Sequence, residues 1–182
     1  MTPPRLFHLS EVGNIEVFAP RPVEVPSQRG SGQEWLNGAL VWAVDEARQA
    51  AYFFPRDCPR ILLWPTEETS DSDRAGWFAD GENSMIACVQ ADWLARIEKQ
   101  VLFRYELPDV TFRSIEDGWM WVSHDAVAPI QVNRIDDLVD ALRSEEVELR
   151  VMDSLVPLRD VWQTSLHASG IRLRNAANWV EV

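Results

Sequence analysis

The stretch from Leu40 to Arg60, LVWAVDEARQAAYFFPRDCPR, constrains the fold more than any other part of the chain. Leu40 to Val44 is an apolar run of strand length, and its β-branched and aromatic side chains suit a pleated, buried surface. Asp45 follows where a carboxylate can accept from the free amides of a first helical turn. Ala47, Ala50, Ala51 and Phe54 then recur at i, i+3, i+4 and i+7, one face of a helix. Pro55 stops that helix, because it has no amide proton and pushes Phe54 out of the helical region. The stretch predicts strand, tight turn, helix and stop. The alanines are small enough to let the helix lie close to a sheet.

Similar short elements run along the rest of the chain. Arg5 to Leu9, Ile61 to Trp64 and Met85 to Val89 read as strands, and Asn14 to Phe18 suggests a further short element. Val101 to Leu107 alternates apolar and polar, as a half-buried strand does. Thr111 to Ile115 and Trp119 to Ser123 flank Asp117-Gly118, a hairpin signal. Val147, Leu149 and Val151 alternate again. Helices are expected from Asp92, from Asp136 or Asp137, and from Pro157, which suits a first helical turn. Residues 19–39 are rich in proline and read mostly as loop, and residues 66–84 as an exposed acidic loop. Ile171 to Arg174 alternates, which would put Arg172 and Arg174 on one side of a strand. No repeat, linker or heptad pattern is present. About six or seven strands mixed with about four helices, without regular βαβ alternation, predict an α+β fold with a mixed, mostly antiparallel sheet. With 182 residues the expected organisation is one domain, residues 1–182, by the prior of ~100–200 residues per domain.

Composition removes several classes of function. No run approaches the ~18 apolar residues of a membrane span, and the first residues lack a signal-peptide core, so a soluble, cytoplasmic protein is expected. Cys58 and Cys88 are too few for a disulfide framework. His8, His124 and His167 are too scattered for metal-ligand spacing. The net charge is −12, the wrong sign for gripping a phosphate backbone. A basic protein partner fits that charge better. Nine tryptophans offer large areas to bury, with one or two left to stack on a planar ligand.

No Gly-rich phosphate fingerprint, P-loop, GxSxG or HExxH is present. What remains is scattered. His8 stands at a strand end with Ser10 and Glu11, a setting that suits holding sugar hydroxyls or moving a proton. Arg56, Asp57, Cys58, Pro59 and Arg60 read either as an anion clamp or as an ion-paired loop fixing the helix exit. Flanking arginines would also lower the pKa of a nucleophilic Cys58. Ser123-His124-Asp125 spells a triad in a row, but neighbours on a strand point to opposite faces, so it is not one. Arg172 and Arg174 suit an anion or a partner carboxylate.

The chain as a whole resembles an uncharacterised bacterial family of unknown function. The marks are LFHLSE (6–11), FAPRPV (18–23), VWAVDEA (41–47), PRDCPR (55–60), WVSHDAVAP (121–129), VELRV (147–151) and IRLRNA (171–176). A more distant resemblance is to the ADP-ribosyltransferase fold. There a first strand bears a His or Arg that contacts the ribose of NAD, a strand running into a helix carries an aromatic near the nicotinamide, and a third motif lies on a later strand. On that pattern His8 matches the first motif, Trp42 or Tyr52 the second, and Trp119 to Ser123 the third. The catalytic Glu of many transferases is missing from those five residues, and Glu116 lies before the Asp117-Gly118 turn. Cleaving the glycosidic bond of NAD builds positive charge on the ribose, which a fixed carboxylate would stabilise.

The resemblance implies a nucleotide-binding or NAD-binding protein with ADP-ribosyltransferase-like activity. His8 would hold the ribose, with Ser10 beside it as the other catalytic candidate. Trp42 or Tyr52 would stack on the base, Trp121 would line the same pocket, and Arg60 would neutralise a phosphate. This requires the His8 imidazole and the Trp42 indole to look into a common hollow. The alternative is a non-enzymatic acidic protein that binds a basic partner.

Overall fold

The structure is a computed structural model that describes residues 4–26, 28–79, 81, 83–116 and 119–180. The fold is α+β. The chain gathers into two compact units, Met1–Gln49 with Phe103–Arg134, and Ala50–Leu102 with Ile135–Val182.

The sheet of the first unit is built from β1 (Leu6–Ser10), β2 (Val41–Asp45), β5 (Leu102–Leu107), β6 (Arg113–Ser114), β7 (Met120–Ser123) and β8 (Gln131–Ile135). Its order is β6-β7-β2-β1-β5-β8. Leu6 and Phe7 are adjacent in sequence yet both fully buried. Alternate side chains leave a strand on opposite faces, so both faces of this sheet are covered at β1. On one face Leu6 joins Phe18, Val41, Ala43, Tyr105, Leu107, Phe112 and Val127. Part of that cover is the loop after β1. The Tyr105 hydroxyl donates to the Val12 carbonyl at 2.8 Å and accepts from the Ile15 amide at 3.1 Å. Phe18 and Val127 exchange main-chain bonds of 2.8 and 2.9 Å. The element expected over Asn14 to Phe18 is thus an isolated bridge. On the opposite face Leu36, Leu40 and Val122 cluster with Trp42.

The sheet of the second unit holds β3 (Arg60–Trp64), β4 (Met85–Gln90), β9 (Val147–Met152) and β10 (His167–Ile171), in the order β10-β3-β4-β9. β4 and β9 run parallel, and the other pairs are antiparallel. Every residue of β3 and β4 is buried, as expected of central strands covered on both faces. Leu155, Leu158, Val161 and Ala176 pack with Ile61, Leu63, Ile86 and Cys88 on one side. Three α-helices form among the described residues: α1 (Asp71–Trp77), α2 (Leu94–Lys99) and α3 (Leu138–Ser144). Asp137 caps α3, its carboxylate accepting from the Asp140 amide at 2.9 Å, and α3 packs on β9 and α2.

Several expectations need correction. The helix after Asp45 is a 3-10 helix, Glu46–Tyr52, and Ala47 is exposed while Ala50, Ala51, Phe53 and Phe54 are buried. A tighter helix does not keep the 3.6-residue face that the alanine spacing implied. The acidic stretch 66–84 is not all loop. Ser70 accepts from the Asp73 amide at 3.2 Å and opens α1. The strand near the end of the chain is His167–Ile171. Arg172 turns out of it in the left-handed region, with φ 56°, into a 3-10 turn over Leu173–Asn175. Arg172 and Arg174 therefore do not share a strand face. β8 carried no usable signal, because Gln131, Val132, Asn133, Arg134 and Ile135 are mostly polar and none of them is buried. Asp117 and Gly118, the expected hairpin turn, lie outside the described residues, but the arms pair as Arg113 with Val122 and Ser114 with Trp121. Among the described residues no helix is long and apolar enough to cross a membrane.

Candidate functional site

β1 pairs with β5 along its whole length, with His8 opposite Tyr105 and Ser10 opposite Phe103. Toward β2 the ladder has only two rungs, Leu6 with Asp45 and Phe7 with Val44. Both strands nonetheless run on, β1 forward to Ser10 and β2 back to Val41. At the point where the rungs stop, the His8 imidazole meets the other strand. Its Nδ1 lies 2.8 Å from the Trp42 carbonyl oxygen. A carbonyl only accepts, so Nδ1 carries the proton, and in the neutral ring Nε2 is the acceptor. The half-buried ring rests against Phe18, with centroids 4.7 Å apart. Ser10 Oγ accepts from the Val12 amide at 3.1 Å, which turns the chain after β1.

Register then decides which side chains meet. His8 lies across from Tyr105, so it shares the face of Leu6 and Tyr105. Ala43 lies across from Trp121, and Trp121 packs against the cluster on that same face. Trp42 lies across from Val122 and packs with it on the other face. The His8 and Trp42 rings therefore point away from each other through the sheet. The common hollow expected for them does not exist; His8 reaches the main chain of Trp42 and not its indole. The reason is the two-residue period of the strand.

The face that keeps His8 and Trp121 also carries a carboxylate. Asp45 is 6% exposed. It accepts from the amides of Ala47 and Arg48, as an N-cap should, and from the Trp121 side chain. Its Oδ1 is buried with no hydrogen-bond partner. Burial raises its pKa, and the cap bonds and the Arg48 charge oppose this. Two positions along a strand separate it from His8's level, about 7 Å. Close by, the Arg48 guanidinium lies 5.3 Å from the ring centroid of Trp119, a half-exposed residue with φ 64°. Sequence reading found Asp45 only as a cap. Its place beside Trp121 follows from strand register, which no local pattern encodes.

Tyr52 and Arg60 belong to the second unit. Arg60 is 3% exposed. Its Nε donates to the Ala51 carbonyl at 2.9 Å and its Nη1 to the Cys58 carbonyl at 3.0 Å. The guanidinium carbon lies 4.9 Å from the Phe54 ring centroid and 5.6 Å from that of Tyr52. Burial pulls its pKa down to about 10. Arg60 fixes the exit of the 3-10 helix through carbonyls rather than through an ion pair. Cys58 is fully buried, and burial pushes its thiol up to about 11 in spite of nearby Arg60 and Arg96. That is the reverse of an activated nucleophile. Ser123 donates to Thr111 Oγ1 at 2.8 Å and accepts from the Asp125 amide at 3.0 Å, while His124 stacks on Trp35 with centroids 5.9 Å apart. These three neighbours form no relay, in keeping with their alternation along the strand.

A family model covers residues 7–176. The chain belongs to the family of unknown function DUF6886. The DUF6886 match takes in His8, Ser10, Trp42, Asp45, Tyr52, Arg60 and Trp121, so each candidate site residue lies inside the family region. Neither a curated protein nor a solved structure matches the chain.

Proposed function

We propose that this protein binds a nucleotide, NAD in the first instance, at the opening between β1 and β2. The observation that carries the reading is the two-rung ladder at Leu6 and Phe7, beyond which both strands continue without pairing to each other. Such an opening exposes main-chain donors and acceptors that a flat, polar ligand can meet without a side-chain code. His8, with Nδ1 fixed on the Trp42 carbonyl, would present Nε2 toward a ribose hydroxyl. Trp121, on the same face, offers an indole for the base. Trp42 has no part in this version of the site.

The reading favours binding over turnover. Ribosyl transfer needs a carboxylate placed against developing positive charge. On the His8 face Asp45 is such a group, but it is buried and held by the amides of the helix it caps. Titrating NAD into the protein by calorimetry tests the proposal. Saturable binding, weakened about tenfold in His8→Ala for the loss of one or two polar contacts, is expected. No heat of binding, or equal affinity in the variant, removes it.

A second reading is an acidic protein that docks a basic partner. It draws on the charge of −12, on Asp71 in the exposed first turn of α1, and on half-exposed Trp35, Trp119 and Trp162. It predicts association that weakens as salt rises. A pull-down at low ionic strength that recovers no partner argues against it.

A further inference from the structure

Buried charges are ordinarily paired, because desolvating an ion without a counter-charge is costly. Arg60 departs from this. Its charge is buried, and its Nε and Nη1 are spent on two carbonyls. Among the described residues no carboxylate pairs with it. The charged and titratable groups that reach it are Cys58, Tyr52 and a second cation, Arg172.

The chain brings Arg172 there through the sheet. Ile171 is the residue directly across from Arg60 in the β3–β10 ladder, so Arg172 leaves the strand beside it. Arg172 Nε donates to the Arg56 carbonyl at 3.3 Å, and Asn175 donates to the Asp57 carbonyl at 2.8 Å. These bonds tie the turn after β10 to the loop before β3. Arg172 is also held in the left-handed region, φ 56° and ψ 27°, a conformation that is unfavourable for a side chain of this size. Two guanidinium groups are thus gathered at one corner of a strongly acidic chain, one of them buried, neither paired with a carboxylate among the described residues.

We propose that Arg60 and Arg172 form an oxyanion site in the second unit, made for a phosphate-type dianion. The remaining nitrogen of the Arg60 guanidinium and a second guanidinium from Arg172 offer donors from two directions, which match the several oxygens of a tetrahedral anion better than the single edge of a carboxylate. Tyr52 and Phe54 cover the Arg60 ion and keep the site partly dry. The site lies wholly within the second unit and takes nothing from the opening between β1 and β2.

The test uses the full chain and inorganic phosphate, with sulfate, acetate and chloride at matched ionic strength. Thermal unfolding is followed for wild type, Arg172→Ala, Arg172→Lys and His8→Ala. Phosphate and sulfate are expected to raise the midpoint saturably, and acetate and chloride are not. Arg172→Ala should weaken the apparent phosphate affinity about tenfold or more, for the loss of a charge-assisted contact. Arg172→Lys should restore part of it, and His8→Ala should respond as wild type. An equal rise with chloride, or an unchanged phosphate response in Arg172→Ala, overturns the proposal. Loss of the response in His8→Ala does so too, because the site would then not be independent of β1. Arg60→Lys adds a direct check where it folds, and Arg172→Ala decides the question where it does not.

Discussion

His8 bonds the main chain of Trp42 through Nδ1 at 2.8 Å, across the gap where the ladder between their strands has stopped. The imidazole does there what a backbone amide does elsewhere in the sheet. In the neutral ring the proton therefore sits on Nδ1. A long-range proton–nitrogen NMR spectrum should show Nδ1 protonated and Nε2 bare. His8→Ala should cost about 1 kcal/mol in urea unfolding, the net worth of one partly buried hydrogen bond. An Nε2-protonated ring contradicts the geometry.

Asp45 supplies a pH test. Its folded pKa is raised by burial, so the fold favours the protonated carboxyl. Stability from this group is complete below the ordinary carboxylate range and is lost as pH rises through the raised value. Asp45→Asn keeps the shape and a cap acceptor but cannot ionise. Relative to this variant, wild type should lose stability as pH increases from about 4 upward. Denaturation curves collected over that range read the difference directly. A flat difference means that Asp45 is better solvated than its 6% exposure implies.

Cys58 should be inert. With the thiol pushed up to about 11, roughly 10⁻⁴ of it is thiolate at neutral pH, and the side chain is sealed from solvent as well. Cys88, also at about 11 and buried, should behave alike. Iodoacetamide should label neither in the folded protein and both in urea, as read by mass spectrometry. Rapid labelling of folded Cys58 revives the nucleophile reading.

Glu146 follows the end of α3 in the left-handed region, with φ 56°, and is exposed. Its amide donates to the Arg143 carbonyl at 3.0 Å. Glycine is the residue that fits this position without strain. Glu146→Gly should stabilise the protein by about 1 kcal/mol, measured as a raised unfolding midpoint with an unchanged slope.

The local grammar of the chain was legible where one pattern sufficed. Ile61–Trp64 and Met85–Val89 are unbroken apolar runs, and they became the buried centre of a sheet. Asp136 or Asp137 before Leu138 and Leu142 announced a capped helix, and Asp137 is the cap. What could not be read was anything that depends on a partner strand. Trp42 is as apolar as Trp121, and only the register of β2 against β7 sends one to each face. Asp45 looked like a cap and is one, but its contact with Trp121 belongs to that same register. The arginines near the end of the chain failed for another reason. Alternation from Ile171 to Arg174 imitates a strand, whereas Arg172 is the residue that breaks it. β8 left no trace, because an exposed strand has no buried face to write into the sequence.

The order of strands bears on how the chain emerges from a ribosome. β1 cannot settle between its neighbours until β5 has been made, and the first sheet stays open along that side until β8 follows. β4 waits still longer for β9, and β3 for β10. Neither sheet can be completed from an amino-terminal fragment, so during synthesis the apolar strands β3 and β4 must stay soluble without their final neighbours. Slow closure of such distant pairings is expected, and nascent chains halted before β9 should be the ones that chaperones hold.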